Sequence, residues 1–143
     1  MNKKLRTIAI IVACLMSSMT FATNYYASAK LNITDNSYTS LCSYDIQIGV
    51  YTEYQSWTGW VYALTGYAPG GNQFTYPTGN ITMPGPIPYN PQVAAYYRVY
   101  VNVTKHQPGS PDVVEPGWAY GTDQYNLPDY YISGNNTIDV TFP

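Results

Sequence analysis

The sequence predicts an all-β chain, specifically an antiparallel β-sandwich of immunoglobulin-like or related type with about seven to eight short strands. Apolar and polar residues alternate at period two in several stretches, and clusters of Gly, Pro, Asn and Asp separate those stretches. Nowhere do apolar residues recur at helical spacing. A strand with one apolar face needs a second layer to cover it, and two packed sheets of short strands meet that need.

The first residues read as a targeting segment of bacterial type. Lys3, Lys4 and Arg6 form a basic region, Thr7 to Met16 a short apolar run, and Ser17 to Ala22 a small-residue cleavage region with Thr20 and Ala22 at the positions a signal peptidase reads. The run falls short of the roughly 20 residues a membrane-spanning helix needs. The expected organisation is therefore an export segment over 1–22 and a single β domain over 23–143, secreted, periplasmic or extracellular. Ala27-Ser28-Ala29 offers a second cleavage point, though far from the apolar run. Ile11-Val12-Ala13-Cys14 resembles a lipid-attachment box, but the apolar stretch before Cys14 is very short and Leu15-Met16 continues it.

Beyond that segment, Lys30 to Thr34 alternates, with Leu31 and Ile33 on one face, and Asp35-Asn36-Ser37 ends it. Ser43 to Thr52 alternates throughout: Tyr44, Ile46, Ile48 and Val50 point one way, Asp45, Gln47 and Tyr51 the other. Trp57 to Tyr67 carries apolar bulk on both faces; its aromatics, β-branched residues and bracketing glycines favour a strand. Gln73 to Tyr76 and Asn80 to Met83 are short strands near an edge, because Pro77 cannot donate to a ladder. Pro84 to Pro91 holds four prolines and forms a stiff connector.

The strand that organises the rest is Gln92 to Thr104. Val93, Ala95, Tyr97, Val99, Val101 and Val103 share the core face, while Ala94, Tyr96, Arg98, Tyr100, Asn102 and Thr104 share the other. Lys105 to Gly117 reads as a long loop, with Val113 and Val114 dipping back to the core. Trp118 to Gly121 and Asp129 to Ser133 are brief strands. In the last strand, Thr137 to Phe142, Ile138, Val140 and Phe142 share a face.

Charge and chemistry narrow the function. Six Lys and Arg face eight Asp and Glu; loss of Lys3, Lys4 and Arg6 leaves three against eight, a net of −5 with His106 neutral. Such a chain does not suit nucleic acid or an anionic membrane surface. Only Cys42 follows the export segment, so no internal disulfide can form, and a small buried hydrophobe is its expected role. One histidine supports neither a multi-histidine metal site nor a histidine relay. Asp45, Glu53, Glu115, Asp123 and Asp129 are the carboxylates eligible for glycoside hydrolysis, but nothing pairs two of them. Asp123, Asn126 and Asp129 lack the spacing of a calcium loop. The Asn-x-Thr triplets at Asn32, Asn80, Asn102 and Asn135 read mostly as solvent-facing strand edges. No catalytic residue, metal or cofactor is expected.

The unusual feature is aromatic content. All seventeen tyrosines and Trp57, Trp60 and Trp118 lie beyond residue 22. Tyrosine packs through its ring and meets water through its hydroxyl, so it suits a contact surface as well as a half-wet sheet. Tyr96, Arg98 and Tyr100 form an outward stripe, with Tyr51 and Tyr62 beside it if their strands are neighbours. The expected function is a non-enzymatic adhesion or binding module for a polysaccharide or cell-surface ligand. Packing of these tyrosines beneath loops is the competing expectation. The alternative function is a subunit of an extracellular fibre or matrix that self-associates by strand addition, Asn24 to Thr34 being the donated segment.

Overall fold

The computed structural model describes residues 24–52, 57–84, 97–126 and 129–143. The expected export segment and residues 85–96, on which most of the expected proline-rich connector and the expected start of the long strand fall, lie outside them. Among the described residues there are ten strands and no helix, hence none long and apolar enough to cross a membrane. The strands are β1 (Tyr25–Ser28), β2 (Lys30–Asp35), β3 (Ser43–Thr52), β4 (Val61–Tyr67), β5 (Gln73–Pro77), β6 (Ile81–Met83), β7 (Tyr97–His106), β8 (Val113–Asn126), β9 (Asp129–Gly134) and β10 (Ile138–Phe142). Seven form one sheet in the order β4-β3-β7-β8-β9-β1-β6, which curls until its edges β4 and β6 approach each other, close to a barrel. The other three form a sheet in the order β10-β2-β5.

Register explains why β3 and β7 sit at the centre. Ile46 faces Val103, Ile48 faces Val101 and Val50 faces Val99, so the two apolar faces coincide. All six are fully buried, and each such side chain stabilises the fold by roughly 1.5–3 kcal/mol. Leu31, Ile33, Ile138, Val140 and Phe142 of the smaller sheet join them in one core. Cys42 is buried there and free.

The chain passes from the larger sheet to the smaller at Ala29, between β1 and β2. Its N–H donates to the Thr78 hydroxyl at 2.8 Å, and its carbonyl accepts from the Thr78 N–H at 2.9 Å. The switch thus leaves no backbone group of Ala29 unpaired, which burial would otherwise penalise.

Several expectations are corrected. Pairing is mixed: β1 runs parallel to β9 and β2 parallel to β10, because the first two strands slot between the last ones and the β5–β6 region. Tyr25–Ser28, within the segment expected to be donated to another copy, is β1 and pairs with β6 and β9 of its own chain. The long loop after Lys105 is instead a short turn followed by β8, and Val113 and Val114 are exposed rather than turned to the core. Asp35 closes β2 in full burial, and His106 is no free loop residue but stands between two carboxylates, 3.2 Å from Asp45 and 2.9 Å from Asp112.

Candidate functional site

The outward face of β3, β7 and β8 holds the site. Along β7, Tyr97, Val99, Val101, Val103 and Lys105 point inward, so Arg98, Tyr100, Asn102, Thr104 and His106 point outward. Antiparallel pairing sets them in rows across the strands: Tyr51, Arg98 and Tyr120 in one, Gly49, Tyr100 and Trp118 in the next, and Gln47, Asn102 and Pro116 in a third. Tyr62 extends that third row from β4, opposite Gln47. Of the sequence-predicted residues, Tyr51, Arg98, Tyr100 and Tyr62 therefore share this face. Tyr96 lies outside the described residues.

Four further aromatic side chains complete the surface. Trp118 and Tyr120 point outward because the inward positions of β8 go to Gly117, Ala119 and Gly121, small enough to let the core approach. Trp57 arrives from the segment that follows β3 in the chain. Its backbone bridges Tyr51, and the next residue anchors the fold-back: the Thr58 hydroxyl accepts from the Val50 N–H at 2.9 Å, and the Thr58 N–H donates to the Val50 carbonyl at 3.1 Å. The indole then rests against Gly49, where a Cβ would collide with Cη2 and Cζ2 of the ring. Gly49 is a notch cut for Trp57.

The rings touch in sequence. Trp60 to Trp57 is 5.0 Å between centroids, Trp57 to Tyr100 5.9 Å, Tyr100 to Trp118 6.2 Å and Trp118 to Tyr120 5.2 Å. Most contacts are edge-to-face, the arrangement ring quadrupoles favour. Trp57, Trp60, Trp118 and Tyr120 nevertheless remain 39–47% exposed, and Tyr62 is 58% exposed. Tyr100 is half-buried by its neighbours. Contiguous exposed rings of this extent are uncommon on a soluble surface and mark contact sites.

Polar groups border the rings. The Arg98 Cζ lies 5.3 Å from the centroid of Trp118 and 5.8 Å from that of Tyr120. Half-buried Gln47 and Asn102 stand opposite each other one row from Tyr100. Among the described residues no group of three or more His, Cys, Asp or Glu side chains is placed to hold a metal ion. The arrangement can stack against a flat apolar surface and hydrogen-bond at its rim.

A second aromatic feature lies away from this face. Tyr25 stacks on Tyr130 at 5.3 Å and Tyr26 on Tyr131 at 5.0 Å, in register across the parallel β1–β9 pair. All four are half-buried, and burial raises the Tyr25 hydroxyl above its ordinary pKa. They fasten β1 to β9.

In the sequence the three tryptophans stand out as composition, with nothing local to place them on the site. The Trp57-x-x-Trp60 spacing and the Trp118-x-Tyr120 alternation were the available signals; which strands lie side by side was not. In comparisons with known proteins, the chain matches no family model, no curated protein and no solved structure.

Proposed function

We propose that this protein is an exported, non-enzymatic binding module whose aromatic face takes carbohydrate, carried on a sandwich-like pair of sheets. The observation that supports it is the run of exposed rings from Trp60 through Trp57, Tyr100 and Trp118 to Tyr120, beside the amide row of Gln47 and Asn102. Sugar rings offer C–H faces that stack on aromatic rings and hydroxyls that pair with amides, so both halves of the surface find a complement. Centroid steps of 5.0–6.2 Å favour an extended oligosaccharide over one sugar. The sandwich reading draws on the single core that side chains of both sheets fill.

Affinity electrophoresis through gels containing soluble polysaccharides tests the reading. The protein should be retarded by at least one polymer, and Tyr100→Ala combined with Trp118→Ala should weaken retardation about tenfold. Each ring contact contributes of order 0.5–1.5 kcal/mol, and 1.4 kcal/mol is tenfold. Equal retardation of both proteins, with circular dichroism unchanged, would rule out the platform.

A second reading has one observation in its favour. Among the described residues β10 pairs on one side only, with β2, and Ile138 to Phe142 carries neither Lys nor Pro to guard the open edge. Assembly by strand addition there predicts concentration-dependent polymers on a sizing column. A monomer at all concentrations would dismiss it.

A further inference from the structure

We infer that the glycan taken by this face carries a carboxylate, as in a uronic acid, and that Arg98 reads it. This rests on the carbohydrate reading above. Arg98 lies on the middle strand of the face, with Tyr51 and Tyr120 on either side in register. Its guanidinium is held over Trp118 and Tyr120, at 5.3 and 5.8 Å from the ring centroids. A free arginine side chain loses considerable rotamer entropy when it binds; two rings that already confine it remove part of that loss.

The charge on Arg98 has no counterpart within the described structure. The ion pairs among the described residues are Lys105 with Asp35 and His106 with Asp45 and Asp112. Lys105 is buried, and Lys30 opens β2 in the other sheet. The outward carboxylate of Asp45 stands opposite Thr104, six residues along β7 from Arg98 and so about 20 Å away at the rise of a strand. It also accepts from the Gly66 N–H at 2.7 Å and pairs with His106. Among the described residues the face thus has a cationic aromatic end and an acidic end.

That polarity selects a kind of ligand. A guanidinium fork matches a carboxylate bidentately, and a charge-assisted pair is about twice as strong as a neutral hydrogen bond. A densely anionic polymer would meet Asp45 and Asp112 at the far end and an acidic chain overall. A glycan with a single acidic unit among neutral ones meets Arg98 with its carboxylate and the Tyr100 and Trp118 rings with its neutral sugars.

Isothermal titration with a panel of oligosaccharides bearing one uronic acid, each paired with its carboxyl-reduced form, tests this. The wild-type protein should bind an acidic member at least about tenfold more tightly than its reduced twin, the lower bound for a charge-assisted bond. Arg98→Gln should erase that preference, so that the acidic and reduced forms bind with equal affinity, and Arg98→Lys should restore only part of it. Added salt should shrink the preference. Equal affinity for both forms, or a preference that survives Arg98→Gln, overturns the role of Arg98 and leaves the platform standing. Binding to neither form overturns both.

Discussion

Gly49 does its work by lacking a side chain. A methyl group there would strike the edge of the Trp57 indole and the carbonyl of Gly59, so Gly49→Ala should lift Trp57 off β3. Overpacking of this kind costs about 1–3 kcal/mol. Because Trp57 also touches Trp60 and Tyr100, the displacement should appear as a shift in tryptophan fluorescence together with a lower urea midpoint; an unchanged spectrum at full stability would mean that the notch does not seat the ring. His106 is the second residue whose surroundings set its behaviour. The hydrogen bond to Asp112, reinforced by Asp45, raises its pKa against the opposing effect of partial burial. The folded state therefore prefers the imidazolium. Its stabilisation is complete below the unfolded value of about 6.5 and disappears as pH rises through the higher folded value. Asp112→Asn should accordingly lower the Tm at pH 5.5 and leave it nearly unchanged at pH 9. Equal losses at both pH values would show that the imidazolium is not what the aspartate stabilises.

Strands differ in how plainly their sequences announce them, and the reason is where bulk is placed. β3 and β7 were legible because large apolar residues occupy the inward positions and polar or amphipathic ones the outward positions, the ordinary sense of the alternation. β8 has the opposite sense. Its inward positions include Gly117, Ala119 and Gly121, where a Cβ on Gly117 would strike Ile138 of the sheet below, and its outward positions hold Val114, Pro116, Trp118 and Tyr120. Read as a sequence, Val113 to Gly117 looks like a loop, because Pro116 and Gly117 punctuate it and nothing local reveals the neighbour that demands small residues. β1 was missed for a related reason: Tyr25 to Ser28 has little apolar pattern of its own, and two flanking strands and two tyrosine stacks hold it in place. The same limit divides the site. Arg98 and Tyr100 followed from the period of a single strand, whereas Trp57, Trp60, Trp118 and Tyr120 join them only through cross-strand register and a fold-back fixed by Thr58.

Across the whole molecule, a buried charge cluster joins the two sheets. Asp35 ends β2 in the smaller sheet; Lys105 and Tyr44 belong to β7 and β3 of the larger. The Lys105 ammonium donates to Asp35 Oδ1 at 2.8 Å, to the Ser37 hydroxyl at 2.8 Å and to the Ser37 carbonyl at 3.2 Å, and Tyr44 donates its hydroxyl to Asp35 Oδ2. Burial by itself would raise the Asp35 carboxyl, but the hydrogen bonds from Lys105, Tyr44 and Ser37 outweigh it and hold the group below the usual carboxylate range. The Tyr44 hydroxyl is pushed far up, by burial first and then by Asp35. With Asp35 depressed, its contribution to stability is present above the unfolded value of about 3.9 and is lost as pH falls through the folded one. Removing one partner leaves the other charge buried alone, which costs about 3–5 kcal/mol, whereas removing both can be close to neutral. Lys105→Met should therefore lower the unfolding free energy at pH 7 by that amount in urea titrations, and Lys105→Met with Asp35→Asn should recover most of it. A Lys105→Met variant as stable as wild type would mean that the smaller sheet is held on the larger by apolar contacts alone. A double variant no more stable than the single would show instead that the ion pair itself, rather than relief of an isolated charge, fastens the two sheets.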